Sequence, residues 1–220
     1  MATAQRKTLT PPSRRLEHDS DDPVPWPTRS TRKRASMTRP AFNLLPRTSV
    51  CSRVDCPPVA SNPPADLFLQ PLTGKGFPIS GWLVQYQLLL VALDPFTNES
   101  AWAFPTAIRV LQNFEQADCR VGVILAGADA DESRQFLGPN AKEFLCFPDP
   151  QRTIVRSFGL QRVPAIIHVA SDGSVVNAAE DWNPDTWQVV TDELARMMSW
   201  TGPVLPGPRD PGAFAGTKAS

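Results

Sequence analysis

The stretch LLLVALDPFTNESAWAFPTAIRVLQNF, Leu88 to Phe114, decides the fold of this 220-residue chain. It opens with an apolar, branched run, Leu88 to Leu93, of the length of a buried strand, and Asp94-Pro95 breaks that run. Phe104, Ile108 and Leu111 then recur at i, i+4 and i+7, the spacing of one helix face. The stretch reads as strand, turn and helix. Thr97 and Ser100 lie in the turn, two hydroxyls at the point where a helix begins and where its free N–H groups favour a developing anion.

Downstream, Val121–Leu125 reads as a second buried strand, reached by a helical crossover and therefore parallel to the first. Asp129–Asp131 open a helix carrying Phe136 and Leu137, and a short strand follows at Glu143–Phe147. Pro148-Asp149-Pro150 starts another helix with Ile154, Val155 and Phe158, which stops at Gly159. A strand from Pro164 to Val169 then turns through Ser171-Asp172-Gly173-Ser174 into Val175-Val176, an antiparallel hairpin. Asn183-Pro184-Asp185 caps a final amphipathic helix with Trp187, Val190, Leu194 and Met197 on one face. Upstream, Leu67–Leu72, the turn Thr73–Gly76 and Phe77–Ile79 read as a short hairpin leading into the domain. Gly74-Lys75 lacks the spacing of a phosphate-binding loop.

The order β, α, β, α, β, α, β, β, α, with a proline opening the late hairpin, resembles the thioredoxin superfamily over residues 66–200. The fold class expected is α/β, a central mixed sheet flanked by helices. FGLQRVPAIIHVASDGSVV, residues 158–176, is similar to the helix end, cis-proline loop and hairpin of thioredoxins, and it makes Pro164 the cis-proline. The additional helix and strand between Val121 and Phe147 look more like the peroxiredoxin and membrane-tethered thioredoxin branch. By the resemblance, Phe96 takes the place of the active-site Trp, and Thr97 and Ser100 take the places of the two cysteines. Against peroxiredoxins, Ser100 stands at the peroxidatic cysteine. Both alignments lose the sulfur.

A serine hydroxyl has neither the pKa of a thiol nor the capacity to form a mixed disulfide, so the redox chemistry of the fold is not expected at this position. The leading expectation is a redox-inactive thioredoxin-like domain that binds a protein or peptide, without cofactor or metal. Its pocket is formed by Phe96, Thr97, Asn98, Ser100, Arg162, Val163 and Pro164, with no catalytic residue assigned. The plain alternative for Thr97 and Ser100 is helix capping. The enzymatic alternatives are a thiol-disulfide or peroxide oxidoreductase using Cys119 or Cys146, and a glutathione-binding protein in which Thr97 or Ser100 meets the ligand thiol. A serine hydrolase needs a base, and His168 is the sole histidine of the expected fold. Cys119 and Cys146 fall in strands and read as buried small hydrophobes. Cys51 and Cys56 have no neighbouring ligand set for a metal. Trp182 and Trp187 flank the start of the last helix, as core residues or as anchors for a partner.

Composition sets the outer limits. Net charge is zero, but residues 1–53 carry eleven Lys and Arg against four acids, a balance of +7 that leaves −7 on the rest. Residues 1–65 hold eleven prolines and no sustained apolar period, so a disordered basic arm is expected there. Met37 offers an internal alternative start. Such an arm touches nucleic acid less often than it is simply solvated. No run approaches the roughly 18 apolar residues of a membrane span. With no secretory pattern and few cysteines, a cytoplasmic location with reduced thiols is expected. Residues 201–220, rich in Pro and Gly, read as a flexible tail.

Overall fold

The computed structural model describes residues 60–220, and residues 1–59 of the arm, with the Cys51 and Cys56 readings, lie outside the described residues. In chain order the elements are β1 (Phe68–Leu69), β2 (Phe77–Pro78), α1 (Ile79–Trp82), β3 (Gln87–Leu93), α2 (Asn98–Phe114), β4 (Cys119–Ala126), α3 (Ala130–Leu137), a short 3-10 turn (Gly138–Lys142), β5 (Leu145–Asp149), α4 (Thr153–Ser157), β6 (Arg162–Val163), β7 (Ala165–Val169), β8 (Val175–Glu180), α5 (Pro184–Met198) and β9 (Thr217–Lys218).

Five strands form the central sheet in the order β5-β4-β3-β7-β8. β3, β4 and β5 run parallel, while β7 runs antiparallel to β3 and β8 antiparallel to β7. The mixed sheet expected from the sequence is therefore present, and β1–β2 form the expected lead-in hairpin. The continuous apolar run of β3 follows from its central place, because helices cover both faces. Leu89, Val91 and Leu93 face α2 and α5, packing with Leu111, Phe114, Trp187 and Leu194. Leu88, Leu90 and Ala92 face α1 and α4, packing with Trp82, Ile154 and Phe158. Each leucine so enclosed contributes about 1.5–3 kcal/mol of transfer free energy.

Each helix start has its local cause. Thr97 caps α2, and Asp129 with Glu132 forms a capping box on α3. Asn183 caps α5. Pro105 lies within α2 without ending it. Trp182 and Trp187 are both fully buried with their rings edge to face, so the core reading of these indoles holds and neither presents an anchor to a partner.

Two boundaries depart from the sequence reading. Residues 60–65 belong with the domain. The Ser61 N–H donates to the Phe158 carbonyl, and the Val175 N–H donates to the Asn62 side-chain oxygen. The larger correction concerns residues 201–220, which are packed and paired. Asp210 accepts from Thr106 at 2.7 Å and from Arg109 at 2.5 Å, Phe214 exchanges two backbone hydrogen bonds with Trp182, and β9 pairs antiparallel with β6. Pro and Gly shape the bends of this segment, while its partners are supplied by residues far away in sequence.

Candidate functional site

The site lies at the carboxyl ends of β3, β4 and β5. β3 leaves the sheet at Asp94, whose side chain is almost wholly buried and whose polar atoms are all engaged. The Phe96 N–H donates to Asp94 Oδ1 at 2.9 Å, and the Thr97 N–H donates to the Asp94 carbonyl at 3.1 Å. The Asp94 N–H in turn donates to Ser100 Oγ at 2.9 Å. Thr97 Oγ1 donates to the Asp94 carbonyl at 3.0 Å and accepts from the Ser100 N–H at 3.4 Å. Thr97 thus caps α2, while Ser100, inside the first turn, ties the helix back to the end of β3 through the Asp94 N–H. Ser100 is fully buried, whereas Phe96 is 63% exposed and Asn98 is exposed.

A second loop meets this one. After β5, the Asp149 carboxylate accepts the N–H groups of Thr153, Ile154 and Val155 at 2.6, 2.8 and 3.1 Å, which fixes the first turn of α4. Arg152, just before that helix, takes a left-handed backbone with φ 56°. This conformation directs its guanidinium to Asp94 Oδ2 at 2.6 Å and to the Ala219 carbonyl at 2.9 Å. Gly127, at the end of β4, has φ 78°, and a Cβ there would stand 2.8 Å from Arg152 Nη2. The glycine is needed both for its backbone angle and for the close approach of the guanidinium.

The third component is the loop before β7. The Val163–Pro164 peptide is cis. Because Ala165 pairs with Ala92, Pro164 falls opposite Leu93 and next to the turn that opens α2. Val163 and Pro164 are buried, and Val163 pairs with Thr217. The fold therefore brings Phe96, Thr97, Asn98 and Ser100 beside Val163 and Pro164. Arg162 is the exception among the predicted pocket residues. Its Nε donates to Asp181 at 2.7 Å and its Nη2 to the Gly216 carbonyl, away from α2. The arginine at the α2 loop is Arg152, which the sequence reading missed together with Asp94, Gly127 and the Gly216–Ala219 segment. Asp94 was legible only as a strand breaker.

Neither described cysteine belongs to this site. Cys119 opens β4, at the opposite end of the sheet, and Cys146 lies within β5. Both are buried, and burial pushes each thiol up to about 12, with Asp118 adding to the effect on Cys119. At neutral pH they are thiols, the unreactive form. His168 is equally remote. It pairs with Leu89, five residues before Asp94, roughly 16 Å along the strand. Its Nε2 meets Gln87 Oε1 at 2.5 Å, so it activates neither Thr97 nor Ser100. Among the described residues no cluster of His, Cys, Asp and Glu suits a metal ion, and no helix is long and apolar enough to cross a membrane.

No protein-family model and no curated protein matches this sequence. Solved structures do resemble it. One is a hypothetical protein of Sinorhizobium meliloti 1021, with TM-score 0.54 and 11% identity over 73% of this chain and 93% of that one. Another is a candidate DsbE-type thiol:disulfide interchange protein of Chlorobium tepidum, with TM-score 0.53 and 14% identity over 63% of this chain and 97% of that one. A third is a candidate thioredoxin of Neisseria meningitidis, with TM-score 0.52 and 17% identity over 63% and 91%. The chain has a thioredoxin-like fold. At these identities the likeness is one of fold, and what the site does must be argued from its own residues.

Proposed function

We propose that this protein is a thioredoxin-like binding module without thiol-disulfide chemistry, which takes an extended protein or peptide segment along the β6 edge beside the opening turn of α2. One contrast carries the reading. The helix end where the fold would use sulfur holds two hydroxyls already engaged, Thr97 in the cap of α2 and Ser100 on the Asp94 N–H, whereas the adjoining edge strand is in antiparallel pairing with an extended segment. Main-chain pairing of this kind supplies affinity in peptide recognition, with side-chain pockets supplying selectivity. Exposed Phe96 and Trp102 add apolar surface on the α2 side.

Two of the structural neighbours are described as a thioredoxin and a thiol:disulfide interchange protein, which makes oxidoreductase activity the natural rival. Among the described residues it would have to run through Cys119 or Cys146, whose burial and raised pKa disfavour a thiolate. Glutathione binding is disfavoured because the Thr97 hydroxyl already donates to one backbone group and accepts from another. We place the protein in the cytoplasm on the sequence reading. The test is disulfide and peroxide reduction by the full chain beside its Cys119→Ala/Cys146→Ala variant. The expected result is no turnover in either. Turnover that vanishes in the variant would establish a thiol enzyme and overturn the reading.

A further inference from the structure

The segment after Phe214 is held in an unusual way. Up to Phe214 the chain is firmly tied, through Asp210 to α2 and through paired backbone bonds to the buried Trp182, whose Nε1 also donates to the Pro211 carbonyl. Beyond that point lies a short extended strand across the β6 edge. The Gly216 N–H donates to Asp181 at 2.5 Å and its carbonyl accepts from Arg162; the Ala219 N–H donates to the Gln161 carbonyl at 2.9 Å. Ala219 is fully buried, and its carbonyl is bound by the same Arg152 guanidinium that pairs with Asp94 at the α2 loop. A four-residue segment thus spans the edge beside Pro164 and ends on the arginine of the site.

Most of this hold is main-chain, with two side-chain additions: Ala219 packs into the core on the α1 and α4 face, and Thr217 Oγ1 donates to the Val163 carbonyl at 3.5 Å. Ala215 and Lys218 are exposed, Thr217 is half-buried, and the Asp181 and Arg162 side chains that clasp Gly216 are 36% and 43% exposed. The selectivity is steric. A Cβ on Gly216 would overlap the Val163 carbonyl, so only glycine passes there, and the closed space around Ala219 admits only a small residue.

We propose that Gly216–Ala219 is an intramolecular ligand of the β6 edge, and that a partner protein displaces it with an extended segment. That segment has glycine facing Val163 and a small residue three positions later, over Arg152. The inference rests on the edge-binding reading above and adds what occupies the edge and what replaces it. Tethered two residues after Phe214, the segment competes at an effective concentration on the order of millimolar, so a partner must be multivalent or locally concentrated to displace it.

The test uses the full chain as wild type, Gly216→Val and, as a second release variant, Thr217→Pro, which removes a backbone donor. The probe is a dye-labelled peptide with the sequence of residues 213–220, followed by anisotropy, while hydrogen exchange reads residues 215–220 and β3 separately. We expect the variants to lose protection in 215–220 with β3 still protected, and to bind the probe at least about tenfold tighter than wild type, since wild type retains its tethered competitor. A probe carrying the Gly216→Val change should bind none of them. Protection of 215–220 that persists, or equally tight probe binding by wild type and variants, overturns self-occupancy while leaving the edge a peptide site. Released segments without probe binding overturn the edge reading as well. Loss of β3 protection in both variants makes β9 an integral strand and overturns the inference alone.

Discussion

Replacing Ser100 by Ala separates a structural hydroxyl from a chemical one. Ser100 Oγ receives the Asp94 N–H at 2.9 Å in a position closed to water, so the substitution leaves that amide buried without a partner. An orphaned buried donor costs about 1–3 kcal/mol, and the volume removed is too small to add much. For a folded unit of this size that corresponds to a fall in melting temperature of roughly 2–12 °C. Thr97→Ala removes a longer bond, 3.4 Å, from a half-exposed cap and should cost less, about 0.5–1 kcal/mol. Because both residues hold the same turn through Asp94, the double variant should depart from additivity. Urea unfolding followed by tryptophan fluorescence reads these differences directly, provided the slope with denaturant is unchanged. The reasoning is refuted if Ser100→Ala shifts stability by less than about 0.5 kcal/mol, the range of an ordinary surface change, while abolishing partner binding or an activity.

Acid should destabilise the fold through His168. Burial lowers its pKa to about 4 against an ordinary 6.5, with Glu193 working weakly in the opposite direction. The folded state therefore binds this proton less readily than the unfolded state. Its contribution is complete above about pH 6.5 and is lost as pH falls towards 4, about 3 kcal/mol in all. Denaturant titrations at pH 7.5 and 4.5 on wild type and His168→Gln should show this part of the pH slope only in wild type. Cys119 and Cys146, with thiols pushed up to about 12 by burial, should resist alkylation at neutral pH in the native protein and react on unfolding, as read by mass spectrometry.

What the sequence could convey divides along a physical line. β3 and α2 are legible because burial on two faces demands a continuous apolar run and a one-face helix demands its 3.6-residue period. The β7–β8 hairpin is legible because Gly173, with φ 87°, has to occupy its turn. Thr97 and Ser100 are legible as a helix start, which is the role they fill. The remaining parts depend on pairs remote in sequence. Asp94 meets Arg152 across 58 residues, and Arg162 meets Gly216 across 54. Local pattern favoured Arg162 as the pocket arginine because it stands two residues before Pro164. A left-handed residue at 152 and the clasp by Asp181 reverse that assignment. The segment from 201 onward misleads for a similar reason. Its Pro and Gly content resembles that of a loose tail, but Asp210, Phe214 and Ala219 have partners that composition does not reveal.

The measurement that bears most directly on the central claim is turnover of a small-molecule disulfide by the full chain beside its Thr97→Cys/Ser100→Cys variant. A small substrate reaches the α2 end without having to displace Gly216–Ala219. The account predicts a silent wild type and a variant that forms a disulfide between its two new thiols and turns over, because the helix end and the neighbouring Pro164 loop are already in place. Turnover by wild type would contradict the account and make its four cysteines, Cys51, Cys56, Cys119 and Cys146, the residues to explain.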